Sequence, residues 1–460
     1  MKNVYLIGIG GIGMSALARY FLHEGKHVGG YDRTRTPLTE ALEKEGAQVH
    51  YEDDVCLIPA AFKKSEHDTL VIYTPAVGND NKELDFFRKN QNKVIKRAEA
   101  LGVIASKKKL LAVAGTHGKT TTSTLLAHIM TASGVSCNAF LGGISKNYDS
   151  NLLLSKSNIL VAEADEYDRS FMQLFPDVAV VTSVDADHLD IYGNHDEVKR
   201  SFKNFINQIK PMGSLVIKKN LVRNGKPNFM QYFDKKMYTY SYNEPADFYA
   251  ANIKPLAGGY FSFDLVTPSG TTRSCTVGVP GWINVENAVA ASAAAWIVGV
   301  NLAQISAALK SFQGVKRRFD VQVSTPAVTY IDDYAHHPEE LRAAITSIRN
   351  MFEGKKITGI FQPHLYTRTR DFAAEFAESL NLLDELILLD IYPAREKPIE
   401  GITSSTIFDK VTLENKILCS KNELLEVLKN KKVEVLVTLG AGDIDTMVEP
   451  IAKMMEDVKR

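Results

Sequence analysis

The stretch from Leu110 to Thr122 limits what this chain can fold into more than any other. An apolar run, Leu110-Leu111-Ala112-Val113-Ala114, meets the turn Gly115-Thr116-His117-Gly118, and Lys119-Thr120-Thr121-Thr122 opens a helix. A strand, a glycine turn and a helix in that order form one α/β unit that holds a nucleoside triphosphate. N–H groups of the turn and first helical turn wrap the phosphates, the lysine offsets their charge, and the hydroxyl after it meets a magnesium ion. The expected contacts are Gly115, Thr116, His117, Gly118, Lys119, Thr120 and Thr121. The usual pattern has a glycine where this chain has Val113, so this is a variant loop that draws its freedom from Gly115 and Gly118. A chance match would lack the apolar strand before it and the helical spacing of Leu125, Leu126 and Ile129 after it.

At 460 residues the chain has room for about three domains of roughly 150 residues. Lysine plus arginine balance aspartate plus glutamate at 54 each, which argues against a nucleic acid or a membrane surface as partner. Cys56, Cys137, Cys275 and Cys419 form no CxxC pair and suit the free thiols of a reducing compartment. With no basic leader and no uninterrupted apolar stretch of about 18 residues, a cytoplasmic protein without membrane insertion is expected.

Residues 1–106 open on Val4-Tyr5-Leu6-Ile7 and Gly8-Ile9-Gly10-Gly11-Ile12-Gly13. GxGxxG spacing lets backbone approach a pyrophosphate, and Asp32 stands where a ribose hydroxyl would be met. By itself this leaves a nicotinamide cofactor, another nucleotide or a structural turn open. In residues 107–316 two more apolar strands run into Glu163-Ala164-Asp165-Glu166 and Asp185-Ala186-Asp187-His188. Ligands gather beyond the carboxyl ends of such strands, so both runs should face Thr120, with Glu163 the preferred magnesium ligand. His188 would suit manganese better than magnesium, or serve as a hydrogen-bonded structural histidine. Asn284 and Asn287 share one face at the start of an alanine-rich helix, suited to capping it or to meeting a base edge. Residues 317–460 again alternate strands with polar clusters, among them Gln362-Pro363-His364-Leu365-Tyr366-Thr367-Arg368-Thr369-Arg370. Its arginines fit either a substrate carboxylate or surface ion pairs. The fold expected is α/β with three domains, each on a mainly parallel sheet: Rossmann-like N-terminal, P-loop central and Rossmann-like C-terminal.

These blocks, in this order, make essentially the whole chain resemble the Mur ligases of peptidoglycan synthesis. The resemblance rests on Gly8-Ile9-Gly10-Gly11-Ile12-Gly13-Met14-Ser15, Gly115-Thr116-His117-Gly118-Lys119-Thr120-Thr121, Glu163-Ala164-Asp165-Glu166, Asp187-His188-Leu189-Asp190, Arg317-Arg318-Phe319 and Asp332-Asp333-Tyr334-Ala335-His336-His337-Pro338. It implies an ATP-dependent ligase that activates the lactyl carboxylate of UDP-N-acetylmuramate as an acyl phosphate and joins L-alanine to it. Gly10, Gly11, Ile12, Gly13 and Asp32 would then hold the uridine diphosphate part, with no redox role. Thr120 and Glu163 would hold Mg2+, and His188 a second metal, with Mn2+ admissible. Asn284 and Asn287 would face adenine, Asp333 the ribose and Arg318 the γ-phosphate, with Lys119, His188 and Arg318 catalytic. Tyr334, His336, His364 and Arg368 would surround the amino acid. The chain departs from the family pattern at Ile283, usually histidine, and at Leu365, commonly arginine. Alternatives are a ligase of the same family adding a murein tripeptide or another amino acid, a nucleotide-binding oxidoreductase, or a nucleotide switch.

Overall fold

The computed structural model describes residues 1–63, 68–78, 80–185, 189–394 and 396–457, without the side chains of 189, 190 and 457. Two compact units emerge: Met1–Ile253 with Phe263–Gly278 and Val285–Gln313, and Gly314–Arg460 with Lys254–Ser262 and Val279–Asn284. The sequence division at 316 leaves the last two of these segments in the central part.

The first unit begins with a five-stranded, wholly parallel sheet: β1 (Asn3–Ile7), β2 (His27–Tyr31), β3 (Gln48–His50), β4 (Thr69–Tyr73) and β5 (Lys93–Lys96), in the order β3-β2-β1-β4-β5. The chain order reverses at β1, which places the glycine turn after it at the switch point where such sheets take their ligands. Gly8 there has φ +83°. The helix Ile12–His23 follows and buries Met14, Ala16, Leu17 and Ala18 against the sheet.

A ten-stranded sheet follows, built from β6 (Lys109–Ala114), β7 (Asn138–Ser145), β8 (Ser150–Leu153), β9 (Ile159–Ala164), β10 (Val178–Val181), β11 (Ser214–Lys218), β14 (Lys236–Ser241), β15 (Phe248–Pro255), β16 (Phe261–Thr267) and β17 (Gly270–Thr276). The short pair β12 (Val222–Arg223) and β13 (Lys226–Pro227) stands apart from it. The order is β17-β16-β15-β14-β11-β10-β6-β9-β7-β8, with β6 between β10 and β9 and parallel to both. Strands buried on both faces read as apolar runs, as Leu110–Ala114 of β6 and Val178–Val181 of β10 do. Arg97 with Asp165 at 3.4 Å and Lys96 with Asp168 at 2.9 Å tie the two sheets' domains within this unit. The buried Asn151 of β8 also donates to Ile12 O at 2.6 Å and to Ser15 Oγ at 2.9 Å.

The second unit carries β18 (Asp320–Ser324), β19 (Thr329–Asp333), β20 (Ile357–Phe361), β21 (Glu385–Leu389), β22 (Lys416–Cys419) and β23 (Val435–Leu439). Their order is β18-β19-β23-β20-β21-β22, and only the edge strand β18 runs antiparallel. Among the described residues no helix is long and apolar enough to cross a membrane.

One polar chain crosses the first sheet's core. Tyr5 Oη lies 2.7 Å from both His50 Nε2 and Glu83 Oε2, and His50 Nδ1 lies 3.0 Å from Glu52 O. Burial raises the Glu83 carboxyl to about 7 and lowers the imidazole of His50. With Glu83 protonated, every proton along this chain finds an acceptor without a buried charge. Between the ordinary glutamate value and about 7 the folded protein therefore keeps a proton that the unfolded chain has lost, and Glu83 makes stability fall as pH rises through that window. His50 acts oppositely, costing stability as pH falls. Glu83→Gln leaves the His50 contribution in place. From about pH 5 to about pH 7.5, chemical denaturation should show the wild type losing about 2 kcal/mol relative to the variant.

Candidate functional site

The phosphate loop sits at the carboxyl end of β6, between the ends of β9 and β10. Val113, where a longer loop would have its glycine, lies wholly buried within β6, paired with Glu163 of β9 and Val180 of β10. The strand thus runs one residue past it, and only Gly115 to Gly118 form the turn. Gly115 has φ +144°, and a Cβ on it would lie 1.9 Å from Thr182 Oγ1. Gly118 caps the helix Lys119–Ala132 in the left-handed region at φ +80°. Both glycines are therefore required by the backbone as well as by any ligand.

Residues after β10 grip the loop. Thr182 Oγ1 donates to Ala114 O at 3.2 Å and to His117 O. His117 N donates to Ser183 Oγ at 2.8 Å, and Thr116 Oγ1 lies 2.8 Å from the same oxygen and 3.3 Å from Asp185 Oδ2. Asp185, the one described residue of the acidic run after β10, meets the loop at Thr116. Thr182 and Ser183 are absent from the expected site, although two hydroxyls directly after an apolar strand beside the loop strand were the available signal.

The run after β9 also converges here. Lys119 Nζ donates to Gly115 O at 2.6 Å, to Thr116 O at 3.3 Å and to Glu166 Oε1 at 2.9 Å, with Oε2 at 2.8 Å. Burial pushes Lys119 toward the neutral amine, but the carboxylates of Glu166, Asp165 and Glu163 outweigh it and hold the ammonium above its ordinary range. Burial in turn raises Glu166 to about 7 against the pull of Lys119. Glu166 is thus the residue of its run that meets the loop lysine, a role the expectation built on Glu163 overlooks.

Glu163 lies against the neighbouring strand β7. A Cβ on Gly142 of β7 would lie 2.1 Å from Glu163 Oε2, so the glycine keeps room for this carboxylate. Glu163 and Asp165 line a cavity of about 100 Å³ with Gly13, Arg97 and Phe140, between the glycine-rich turn and the central sheet. Among the described residues no three His, Cys, Asp or Glu side chains cluster to hold a metal. A magnesium ion carried with a triphosphate takes only one or two protein oxygens, so a hydroxyl at Thr120 and a carboxylate at Glu163 suit it chemically. His188 lies outside the described residues.

At the first glycine turn, Gly10 N donates to Asp32 Oδ2 at 2.7 Å and Thr34 N to Oδ1 at 3.1 Å. A Cβ on Gly10 would meet that carboxylate at 2.8 Å, and one on Gly13 would meet Arg97 Nη1 at 2.6 Å. Asp32 therefore braces the turn. Gly11 and Ile12 complete it, with Ile12 exposed.

Asn287 of the helix Trp282–Ile297 accepts from Thr122 Oγ1 at 3.2 Å, next to the loop helix. Asn284 donates to Pro280 O at 2.6 Å and so closes its own turn.

In the second unit, polar clusters leave the ends of the adjacent strands β19, β23 and β20. The Asp333 carboxylate accepts from Phe319 N at 2.7 Å and Ala335 N at 2.8 Å; burial raises it to about 6 despite Arg318 and these N–H groups. Arg318 and Arg317 lie over the Tyr334 ring at 4.8 and 5.2 Å. The structure brings Tyr334, His336, His364 and Arg368 into one file. The Tyr334 and His336 rings are 5.3 Å apart, those of His336 and His364 5.9 Å, and Arg368 Nη1 is 3.5 Å from His364 Nδ1. Arg370 instead pairs on the surface with Asp371 at 2.7 Å.

Three family models match this chain in order: Mur ligase family, catalytic domain, over residues 3–109; Mur ligase middle domain over 113–295; and Mur ligase, glutamate ligase domain, over 317–446. A Parabacteroides distasonis protein named UDP-N-acetylmuramate--L-alanine ligase is 55% identical over 98% of this chain and 97% of its own length. A protein of that name from Porphyromonas gingivalis is 51% identical over 99% of each. The solved UDP-N-acetylmuramate-alanine ligase of Thermotoga maritima superposes with a TM-score of 0.81 at 26% identity, over 99% of both chains. A murein peptide ligase of Psychrobacter arcticus shares the fold at a TM-score of 0.72 and 19% identity. Matched from end to end, in sequence and in fold, the chain belongs to the Mur ligase family.

Proposed function

We propose that the protein is an ATP-dependent ligase that joins L-alanine to the lactyl carboxylate of UDP-N-acetylmuramate, in the cytoplasm, as a step of peptidoglycan precursor synthesis. The observation that supports this best is agreement along the whole length with relatives bearing that activity in their names, in a chain whose phosphate loop holds Lys119 among the carboxylates after β9.

A carboxylate is a poor acyl donor because its oxygen leaves badly. Attack of the lactyl carboxylate oxygen on the γ-phosphorus of ATP replaces it with an acyl phosphate and releases ADP. The neutral amine of L-alanine then adds to the acyl carbon, the tetrahedral intermediate expels phosphate, and an amide remains. In this scheme the Gly115–Gly118 turn and the first N–H groups of its helix bind the triphosphate, and Lys119 offsets charge spread over the transferring group. Thr120 and Glu163 would hold Mg2+, which when bound supplies positive charge beside the phosphates. Gly10 to Gly13 bind the pyrophosphate of the UDP substrate on the N-terminus of their helix, with Asp32 fixing the turn. Arg318, Asp333, Asn284, Asn287 and His188 keep the roles that the resemblance implies. Tyr334, His336, His364 and Arg368 hold the amino acid, its carboxylate on Arg368.

With ATP, Mg2+ and UDP-N-acetylmuramate, the purified protein should release phosphate only once L-alanine is added. Release without an amino acid, or none with any, would overturn the assignment. In a panel of L-alanine, glycine, L-serine and the murein tripeptide, L-alanine should give the highest kcat/KM; preference for the tripeptide would move the protein to the recycling branch. Lys119→Ala should lower kcat by about 10²–10³-fold, as loss of one preorganised charge-stabilising group does. Its KM for UDP-N-acetylmuramate should stay within about twofold, since that contact is lost mainly in the transition state. Near-normal turnover would remove the loop from the mechanism.

A further inference from the structure

The ammonium of Lys119 has three N–H donors, and protein acceptors meet all of them. Two are the carbonyls of Gly115 and Thr116, in the turn that must itself wrap the phosphates; the third is the Glu166 carboxylate. The ion pair is enclosed, with 12% of the lysine side chain and 1% of the glutamate side chain exposed. Glu166 is fixed from its backbone as well, because Tyr192 Oη donates to Glu166 O at 2.6 Å. A phosphate oxygen that takes up Lys119 must displace one of these acceptors. Giving up the carbonyls would loosen the turn around the nucleotide it is to hold, which leaves the carboxylate as the group to exchange.

We infer that Glu166 is a positioning residue that competes with the triphosphate for Lys119. This rests on the turn being the ATP site. While the nucleotide is in its ground state, Glu166 keeps a share of the lysine's charge. As charge rearranges on the transferring phosphoryl group, the lysine shifts toward the phosphate oxygens. The contact is thus weaker in the bound ground state than in the transition state, the condition under which an interaction raises kcat rather than only tightening binding. Asp165 and Glu163 add negative charge around the lysine, and Glu166 is ion-paired with it at 2.8 Å.

Glu166→Gln keeps the size of the side chain and one acceptor oxygen and removes its charge. By titration calorimetry it should bind the non-hydrolysable analogue AMP-PNP, with Mg2+, about tenfold more tightly than the wild type. In turnover, kcat and KM for ATP should fall together by about the same factor, leaving kcat/KM for ATP nearly unchanged. Glu166→Asp retains the charge on a shorter arm and should restore affinity most of the way to wild type. A residue that only supports the fold would behave otherwise: Tm would drop and nucleotide would bind more weakly in both variants. Equal or weaker binding by Glu166→Gln overturns the inference. Should that variant not fold, a folded Glu166→Asp that binds more weakly than the wild type does the same. Failure of the wild type to bind AMP-PNP would overturn the ATP-site assignment as well, which separates the two outcomes.

Discussion

Everything at the Gly115–Gly118 turn depends on one close approach, the passage of Gly115 past the end of β10. Only a residue without a side chain can run 1.9 Å, in Cβ terms, from Thr182 Oγ1 with φ +144°. That contact lets Thr182 and Ser183 bond the loop's own groups, so the turn is shaped by protein before any ligand enters. The same compactness places Gly115 O and Thr116 O within reach of Lys119. A buried ammonium is unfavourable unless it is paired and hydrogen-bonded, and Glu166 with these carbonyls supplies both. Glycine turn, hydroxyl pair and ion pair are thus one packing solution, and the loss of any of them exposes the others.

Sheet order explains why the groups meet there. In the central sheet β6 has β9 on one side and β10 on the other, all parallel, so three carboxyl ends open on one edge. The second unit repeats the device with β19, β23 and β20, whose ends deliver Asp333, Gly440 and Gln362. There Arg317 Nη2 donates to Gly440 O at 2.7 Å, and Gln362 Nε2 to Asp443 Oδ1 at 2.8 Å. In each unit separately, polar groups thus gather beyond the carboxyl ends of parallel strands, where open α/β sheets take their ligands.

Much of this was legible in the amino-acid order. Unbroken apolar runs at Leu110–Ala114 and Val178–Val181 mark doubly covered parallel strands, and a polar cluster after each marks a strand end. Partners across strands were not legible. Nothing local distinguishes Glu166 from Glu163 and Asp165 as the partner of Lys119, because that choice depends on side-chain direction after β9 and on the geometry of the neighbouring turn. Asp32 shows the same limit. Its spacing suggested a ribose contact and did not show that its carboxylate also accepts from Gly10 N and Thr34 N, a role fixed by the curl of the turn. Arg368 and Arg370 stand two apart on a short helix and so point differently, one to His364 and the other to Asp371.

Leu365 brings sequence departure and geometry together. It sits in the left-handed region at φ +73°, strained for a branched side chain, and is 7% exposed. Its N–H donates to Tyr392 O at 3.0 Å, and Tyr392 N donates back to Pro363 O at 2.8 Å, so the turn is held by backbone bonds to a distant loop. His364 stacks on Tyr392 from the same turn. The strain thus follows from aiming His364 along the file with His336 and Tyr334, a task of the backbone that places no demand on the side chain at 365. With leucine buried there, no guanidinium at that position enters the file. Arg368, one helical turn further on, is the guanidinium beside His364, at 3.5 Å, while Arg318 and Arg317 stand at the Tyr334 end of the file.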